Sequence, residues 1–308
     1  MTAEGNGQLE TLIIQSVLEE LSKNGLFDSK NKQQVVNSAV QVINSAASVP
    51  ITPLIPEDEE TVTLPTDEIM VDNPFNLEAI RAMKKTTPAR IGIGRAGARQ
   101  KTVSWLRFLA DHAVAKDAVF VDVSEDFLKR MNLVAVTSAA QDKEQFLTNP
   151  ELGRRLSEEG VRIIKEKCSK NPQVQICVVD GLSSSAIEAN IPDLLPALIQ
   201  GLNSIGLKIG TPVFIKHGRV WVQDQVAKLV DAEVVISLIG ERPGLGTAES
   251  LSAYMIYRPN ENTVEADRTV ISNIHKGGIP PAEAGAHLVD VLEQILKVKV
   301  SGVKLNQK

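Results

Sequence analysis

A chain of 308 residues with a formal net charge of −5 and no basic stripe carries no electrostatic footprint for nucleic acid. Hydrophobic residues make up 43% and charged residues 23%, the balance of a globular protein, and the length fits one main domain plus an appendage, or two domains. The longest apolar runs, such as VVISLIG at 234–240, are far too short to span a bilayer. The opening MTAEGNGQLE has neither the basic start nor the apolar stretch of a secretory signal, so a cytoplasmic protein is expected. Cys168 and Cys177 lack CxxC spacing and the four histidines are scattered, so no redox pair or metal cluster is indicated.

Along the chain, Leu9, Leu12, Ile13, Val17, Leu18 and Leu21 recur at helical spacing and Asn24-Gly25 provides a stop, which predicts an amphipathic helix over 9–24. A second helix is expected from Val35 to Ala47, making residues 1–48 a helical extension. Residues 49–72 hold four prolines and an EDEE run and read as a linker. A helical segment is expected over 73–132, opening with Asn73 as N-cap and Pro74 as first helical residue, and later placing Trp105, Leu106, Leu109, Ala110 and Ala113 on one face.

From 133 to 308 the pattern alternates. Strands are predicted at LVAVTS (133–138), VQICVVDG (174–181), TPVFIKHG (211–218) and EVVISLIG (233–240). Helices are predicted at 151–168, 191–206 and 222–232. SLSAYMIY and TVISNI add further strands, and residues 281–300 close the chain as a helix. Such alternation implies parallel βαβ units, and near-continuous apolar strands imply helices on both faces. The fold class is therefore α/β: a doubly wound, mostly parallel, Rossmann-like sheet with a helical N-terminal extension.

In such sheets ligands bind beyond the C-terminal strand ends. Those ends carry Asp180-Gly181-Leu182-Ser183-Ser184-Ser185, His217-Gly218-Arg219, Gly240-Glu241-Arg242-Pro243-Gly244-Leu245-Gly246 and Asn273-Ile274-His275-Lys276-Gly277-Gly278. Glycines there admit a bulky ligand to the backbone, and the polar side chains supply hydrogen bonds. The segment Gly92-Ile93-Gly94-Arg95-Ala96-Gly97 matches the dinucleotide fingerprint GxGxxG, but only Ala89-Arg90-Ile91 separates Pro88 from Gly92, too little for the buried strand that the fingerprint needs. It reads as a glycine-rich turn. The Asp111-His112 pair falls on adjacent helical positions that point apart, and HExxH, GxSxG, GxxxxGK[ST] and CxxC are all missing. No self-sufficient catalytic constellation emerges.

Taken in order, Arg95-Ala96-Gly97 with Arg99, then Trp105 through His112, Pro150 through Leu156, Asp180 through Ser183, Gly218-Arg219-Val220, Gly240 through Gly246, and Glu265-Ala266-Asp267-Arg268 with Ile271-Ser272-Asn273-Ile274, resemble the ethanolamine ammonia-lyase small subunit over roughly 75–300. The resemblance implies conversion of ethanolamine to acetaldehyde and ammonia by an adenosylcobalamin-dependent radical mechanism. It also implies a large subunit that holds the substrate and the catalytic residues, with the corrinoid between the subunits, so no catalytic residue is assigned here. Cofactor contacts carry over to Val220, to Glu241 and to position 270, where relatives often have Cys and this chain has Val270. Gly240, Arg219 and Ser183 complete the candidate cofactor-binding set. No DxHxxG motif is present to supply a histidine to cobalt, so no metal-ligating residue is expected. The biology of similar enzymes makes the 9–24 helix a candidate tag for a bacterial microcompartment, with shell proteins as partners. Two alternatives remain at this level: an NAD-dependent oxidoreductase using Gly92, Gly94 and Gly97, and a non-enzymatic adaptor.

Overall fold

The computed structural model describes residues 69–87 and 89–307, all within the compact unit Leu64–Lys308. The expected helices of the 1–48 extension and residues 49–68 of the linker lie outside the described residues.

The first helix, α1, spans Leu77–Thr86 and starts three residues later than the sequence suggests. Asn73 adopts a left-handed φ of 48°, and it is the Asn76 side chain that accepts the Ala79 N–H at 2.9 Å and caps the helix. A two-residue hairpin follows, β1 (Arg95–Ala96) against β2 (Arg99–Gln100). It leads into α2 (Thr102–Phe120) and the short α3 (Glu125–Arg130).

Among the described residues, six strands then build one sheet. They are β3 (Val134–Thr137), β4 (Val174–Val179), β5 (Val213–Lys216), β6 (Val234–Gly240), β7 (Leu251–Tyr257) and β8 (Thr269–Ile274). Their spatial order is β3-β5-β4-β6-β7-β8. Pairing is parallel from β3 to β6 and antiparallel from β6 through β7 to β8. The α/β class expected from the sequence is present, but the sheet is mixed. The reason lies in the connections: the β6–β7 and β7–β8 segments hold no crossover helix, and strands joined without one pair antiparallel.

The parallel half needs crossovers, and they divide between the two faces. Ahead of β4 come α4 (Lys143–Thr148), α5 (Pro150–Gly153) and α6 (Glu158–Lys167); α7 (Ser184–Ser204) joins β4 to β5, and α8 (Val222–Val230) joins β5 to β6. The chain moves one way across the sheet from β3 to β4, reverses to reach β5, and resumes toward β6. Because crossovers are right-handed, the reversal carries α7 to the face opposite α6 and α8. Packing agrees with this rule. Val174, Ile176 and Val178 bury against α7 and the C-terminal helix α9 (Pro281–Val298), whereas Cys177 and Val179 bury against α6 and α8. Every residue of β4 and β6 is buried as a result.

Two further helices depart from their expected bounds. The helix predicted over 151–168 breaks, because Ser157 caps α6 by accepting the Gly160 N–H at 3.0 Å while Leu156 bridges to Ser138. In contrast, α7 begins seven residues before its predicted start and runs through Pro192 and Pro196. An interior proline costs about 3 kcal/mol, but Ile187, Ile191, Leu194, Leu198 and Leu202 are fully buried along one side, each worth about 1.5–3 kcal/mol. The apolar face outweighs the breaks. No helix of the described residues is long and apolar enough to cross a membrane.

Candidate functional site

The reversal at β5 has a geometric consequence. At the C-terminal ends of the adjacent strands β4 and β5 the chain leaves toward opposite faces, the position at which sheets of this kind form their binding crevice. Asp180, the first residue after β4, lies beneath the two exits with 1% of its surface exposed. The β5 exit folds over this carboxylate. His217 takes a left-handed φ of 57°, and the Gly218 N–H reaches Asp180 Oδ1 at 3.3 Å. Burial pushes the Asp180 carboxyl up to about 6, against the pull of the His217, Gly218 and Gly181 backbone amides and the Lys143 ammonium. Around it, the His217 ring stacks on Phe146 at 5.8 Å and Lys216 pairs with Asp122 at 2.7 Å. Burial also lowers the pKa values of Lys143 and His217.

This exit turn delivers two of the candidate residues. The Arg219 N–H donates to the Gly153 carbonyl at 2.7 Å, and its guanidinium lies 4.2 Å over the Phe146 ring. Val220 is half-buried against the cluster under α6 and α8. Gly240 ends β6 in close contact with the β4 exit: a Cβ there would stand 2.1 Å from the Ser183 carbonyl oxygen, so only glycine fits. Ser183 is itself fully buried. Its hydroxyl caps α7 through the Ala186 N–H at 3.1 Å and bonds the Ala248 carbonyl, a structural task.

Glu241 and Val270 belong together. Val270 on β8 pairs with Tyr254 on β7, and the Tyr254 hydroxyl donates to Glu241 Oε1 at 2.8 Å. Tyr254 packs against the same α6/α8-side cluster as Val220. The structure therefore joins Glu241 and Val270 through Tyr254, and it places Val220 against the same α6/α8-side cluster but at the β5 exit, four strands from β8. Gly240 and Ser183 are the backbone support behind them, and Ser183 starts the helix that leaves for the other face.

A family model of the ethanolamine ammonia-lyase light chain matches residues 77–306. The chain belongs to the ethanolamine ammonia-lyase light-chain family. It is 49% identical to the ethanolamine ammonia-lyase small subunit of Clostridium perfringens over 281 residues, covering 91% of this chain and 94% of that one. The small subunit of Fusobacterium nucleatum is 54% identical over 237 residues, 77% of this chain and 80% of its own. That of Listeria monocytogenes serotype 4a is 45% identical over 293 residues, 95% and 97%.

For a light chain of this lyase, the glycine run at 92–97 has a structural role. Among the described residues no strand precedes Gly92; the run leads into the β1–β2 hairpin with Gly97 at φ 63° in its turn, and it does not open a helix after a buried strand. The Asp111-His112 pair separates as well, Asp111 pairing with Arg90 and His112 stacking on Phe108. Among the described residues, no three His, Cys, Asp or Glu side chains are placed to hold a metal ion. Sequence reasoning missed Tyr254, whose bond to Glu241 depends on a register across β6 and β7 that the intervening loop conceals. It named Asp180 only as the start of the β4 exit loop; an acid directly after a largely apolar strand was the signal of its buried position.

The buried carboxyl gives a pH-dependent stability. Its folded value of about 6 lies above the ordinary aspartate value of 3.8, so the folded state favours the proton. The stabilisation is fully present below the unfolded value and is lost as pH rises through the folded one. Asp180→Asn keeps the acceptor for Gly218 but cannot ionise. Between pH 4 and 7 the parent should lose on the order of 1–3 kcal/mol of stability relative to this variant, measured by urea unfolding at several pH values. A difference that does not change with pH would show that Asp180 titrates normally.

Proposed function

We propose that this chain is the cofactor-binding subunit of an adenosylcobalamin-dependent ethanolamine ammonia-lyase, forming one wall of a corrinoid site that a large subunit completes. The observation that carries this reading is the link that Tyr254 makes between Glu241 and Val270, on the face of the sheet against whose core Val220 also packs. The donor set suits the group. A corrin edge carries carboxamide N–H donors and methyl groups; Glu241 offers a half-buried carboxylate acceptor, and Val220 with the 45% exposed Val270 offers apolar contact. The chemistry contributed by a bound adenosylcobalamin is a cleavable cobalt–carbon bond that begins the radical conversion of ethanolamine to acetaldehyde and ammonia. The residues of this chain bind and orient; with Asp180 and His217 enclosed, proton transfer to substrate belongs to the large subunit.

The Rossmann-like reading is part of the same proposal. Helices on both faces and crossovers that diverge at β4 and β5 support it, although the strands read 1-3-2-4-5-6 in order of appearance against the standard 3-2-1-4-5-6. Its direct test is binding. After co-expression with the large subunit and gel filtration, the complex should retain the visible absorption of cobalamin. Glu241→Ala should raise the dissociation constant about 10-fold, the worth of one charge-assisted hydrogen bond, and weaken binding more than it alters folding. Equal retention by the variant would overturn the assignment.

The proposal places the complex in the cytoplasm, inside a bacterial microcompartment, on the strength of the apolar stripe at 9–24. A helix of that length is marginal alone in water and needs a partner surface, here the shell proteins. Residues 1–30 fused to a fluorescent protein should give punctate fluorescence in cells making shells, and Leu12→Glu or Val17→Glu should disperse it. Diffuse fluorescence from the unmutated fusion, with intact shells, would contradict the tag.

A further inference from the structure

We infer that Tyr254 is a positioning residue for the cofactor site, holding the Glu241 carboxylate so that its second oxygen points to the ligand. The inference rests on the reading of Glu241 as a cofactor contact, and neither the family resemblance nor the relatives bring Tyr254 into that role.

Glu241 sits just beyond the last residue of β6, where regular pairing stops. Its backbone is pinned, since the Glu241 N–H donates to the Ser250 carbonyl at 2.9 Å and the preceding Gly240 is wedged against the β4 exit. The side chain is another matter. Glutamate is among the most rotamer-rich residues, and a half-exposed one samples many directions unless something holds it. Tyr254 supplies that hold through the 2.8 Å hydrogen bond to Oε1. The phenol has few rotamers of its own and is packed between Ser237 on β6 and Val270 on β8, its direct partners across the sheet. Burial, together with the neighbouring carboxylate, raises the Tyr254 pKa, so the hydroxyl remains a donor throughout the physiological range. One oxygen of Glu241 is thus committed to the protein. The other is left for an N–H of a bound carboxamide, with the ordering cost already met before binding.

Tyr254 also links the two ends of the proposed surface. Its ring stands beside position 270, and its hydroxyl reaches Glu241. A carboxylate at the β6 exit and an apolar side chain on β8 are therefore set at a fixed spacing by one rigid side chain.

The test uses the complex with the large subunit and adenosylcobalamin, with Tyr254→Phe, Glu241→Ala and the double variant. Tyr254→Phe removes the hydroxyl and keeps the ring. It should raise the dissociation constant for the coenzyme, read by absorbance titration, about 3- to 10-fold. The apparent KM for the coenzyme should rise by the same factor, with kcat unchanged. In the Glu241→Ala background the same change should add less than 2-fold, because nothing remains to position. Melting temperatures of the isolated variants verify that the fold is intact. An equal effect of Tyr254→Phe in both backgrounds would overturn the positioning role. If Glu241→Ala weakens binding and Tyr254→Phe does not, the inference about Tyr254 fails while the cofactor contact stands. If neither variant weakens binding, both fail.

Discussion

A carboxylate buried beneath a backbone turn fixes the architecture of the candidate site. Asp180 ends β4 where water is excluded, and a charge there is tolerable only if N–H donors meet it. The exit turn of β5 provides them, and to do so His217 adopts the left-handed conformation, which carries a steric cost for a residue with a Cβ. Because the two strands are neighbours whose crossovers leave in opposite directions, this clamp holds their exit loops in one shape. Arg219 and Val220, the residues immediately after the clamp, inherit their positions from it.

A second constraint comes from the end of the chain's parallel half. Beyond β6 the strands are joined without crossover helices, so among the described residues these connections place no helix on the α6/α8 face of β7 and β8. On the opposite face Leu251, Ala253, Met255 and Ile274 are buried with α9. The contrast leaves Val270 exposed and Tyr254 half-buried beside Glu241. An antiparallel edge with one covered face is an ordinary way to present a surface to a ligand or a partner. Here that surface is the one that carries the candidate cofactor contacts.

Much of this was legible in the sequence. The six strands lie where the apolar runs place them, because a strand buried on both faces has to be mostly apolar, as VQICVV and VVISLIG are with Gln175 and Ser237 their polar exceptions. The loops at the strand ends were equally visible through their glycines and acids. What local pattern could not show was set by tertiary packing. Pro192 looks like the first turn of a helix until the buried face of α7 is seen to begin seven residues earlier, and Asn73 looks like a cap until Asn76 takes its place. The Tyr254–Glu241 bond depends on the β6–β7 register, which no single-strand pattern encodes. Ser183 illustrates the reverse case: its type suits a ligand contact, and its burial shows that it caps a helix.

The central claim is that this subunit meets the cofactor through the surface that Tyr254 organises. The most direct measurement is an electron cryomicroscopy structure of the complex of this chain with the large subunit and adenosylcobalamin. The account predicts the corrin edge against Val220 and Val270, with a carboxamide N–H on Glu241 and the Tyr254 hydrogen bond retained. Density for the corrin away from these residues, with Glu241 facing solvent, would contradict it.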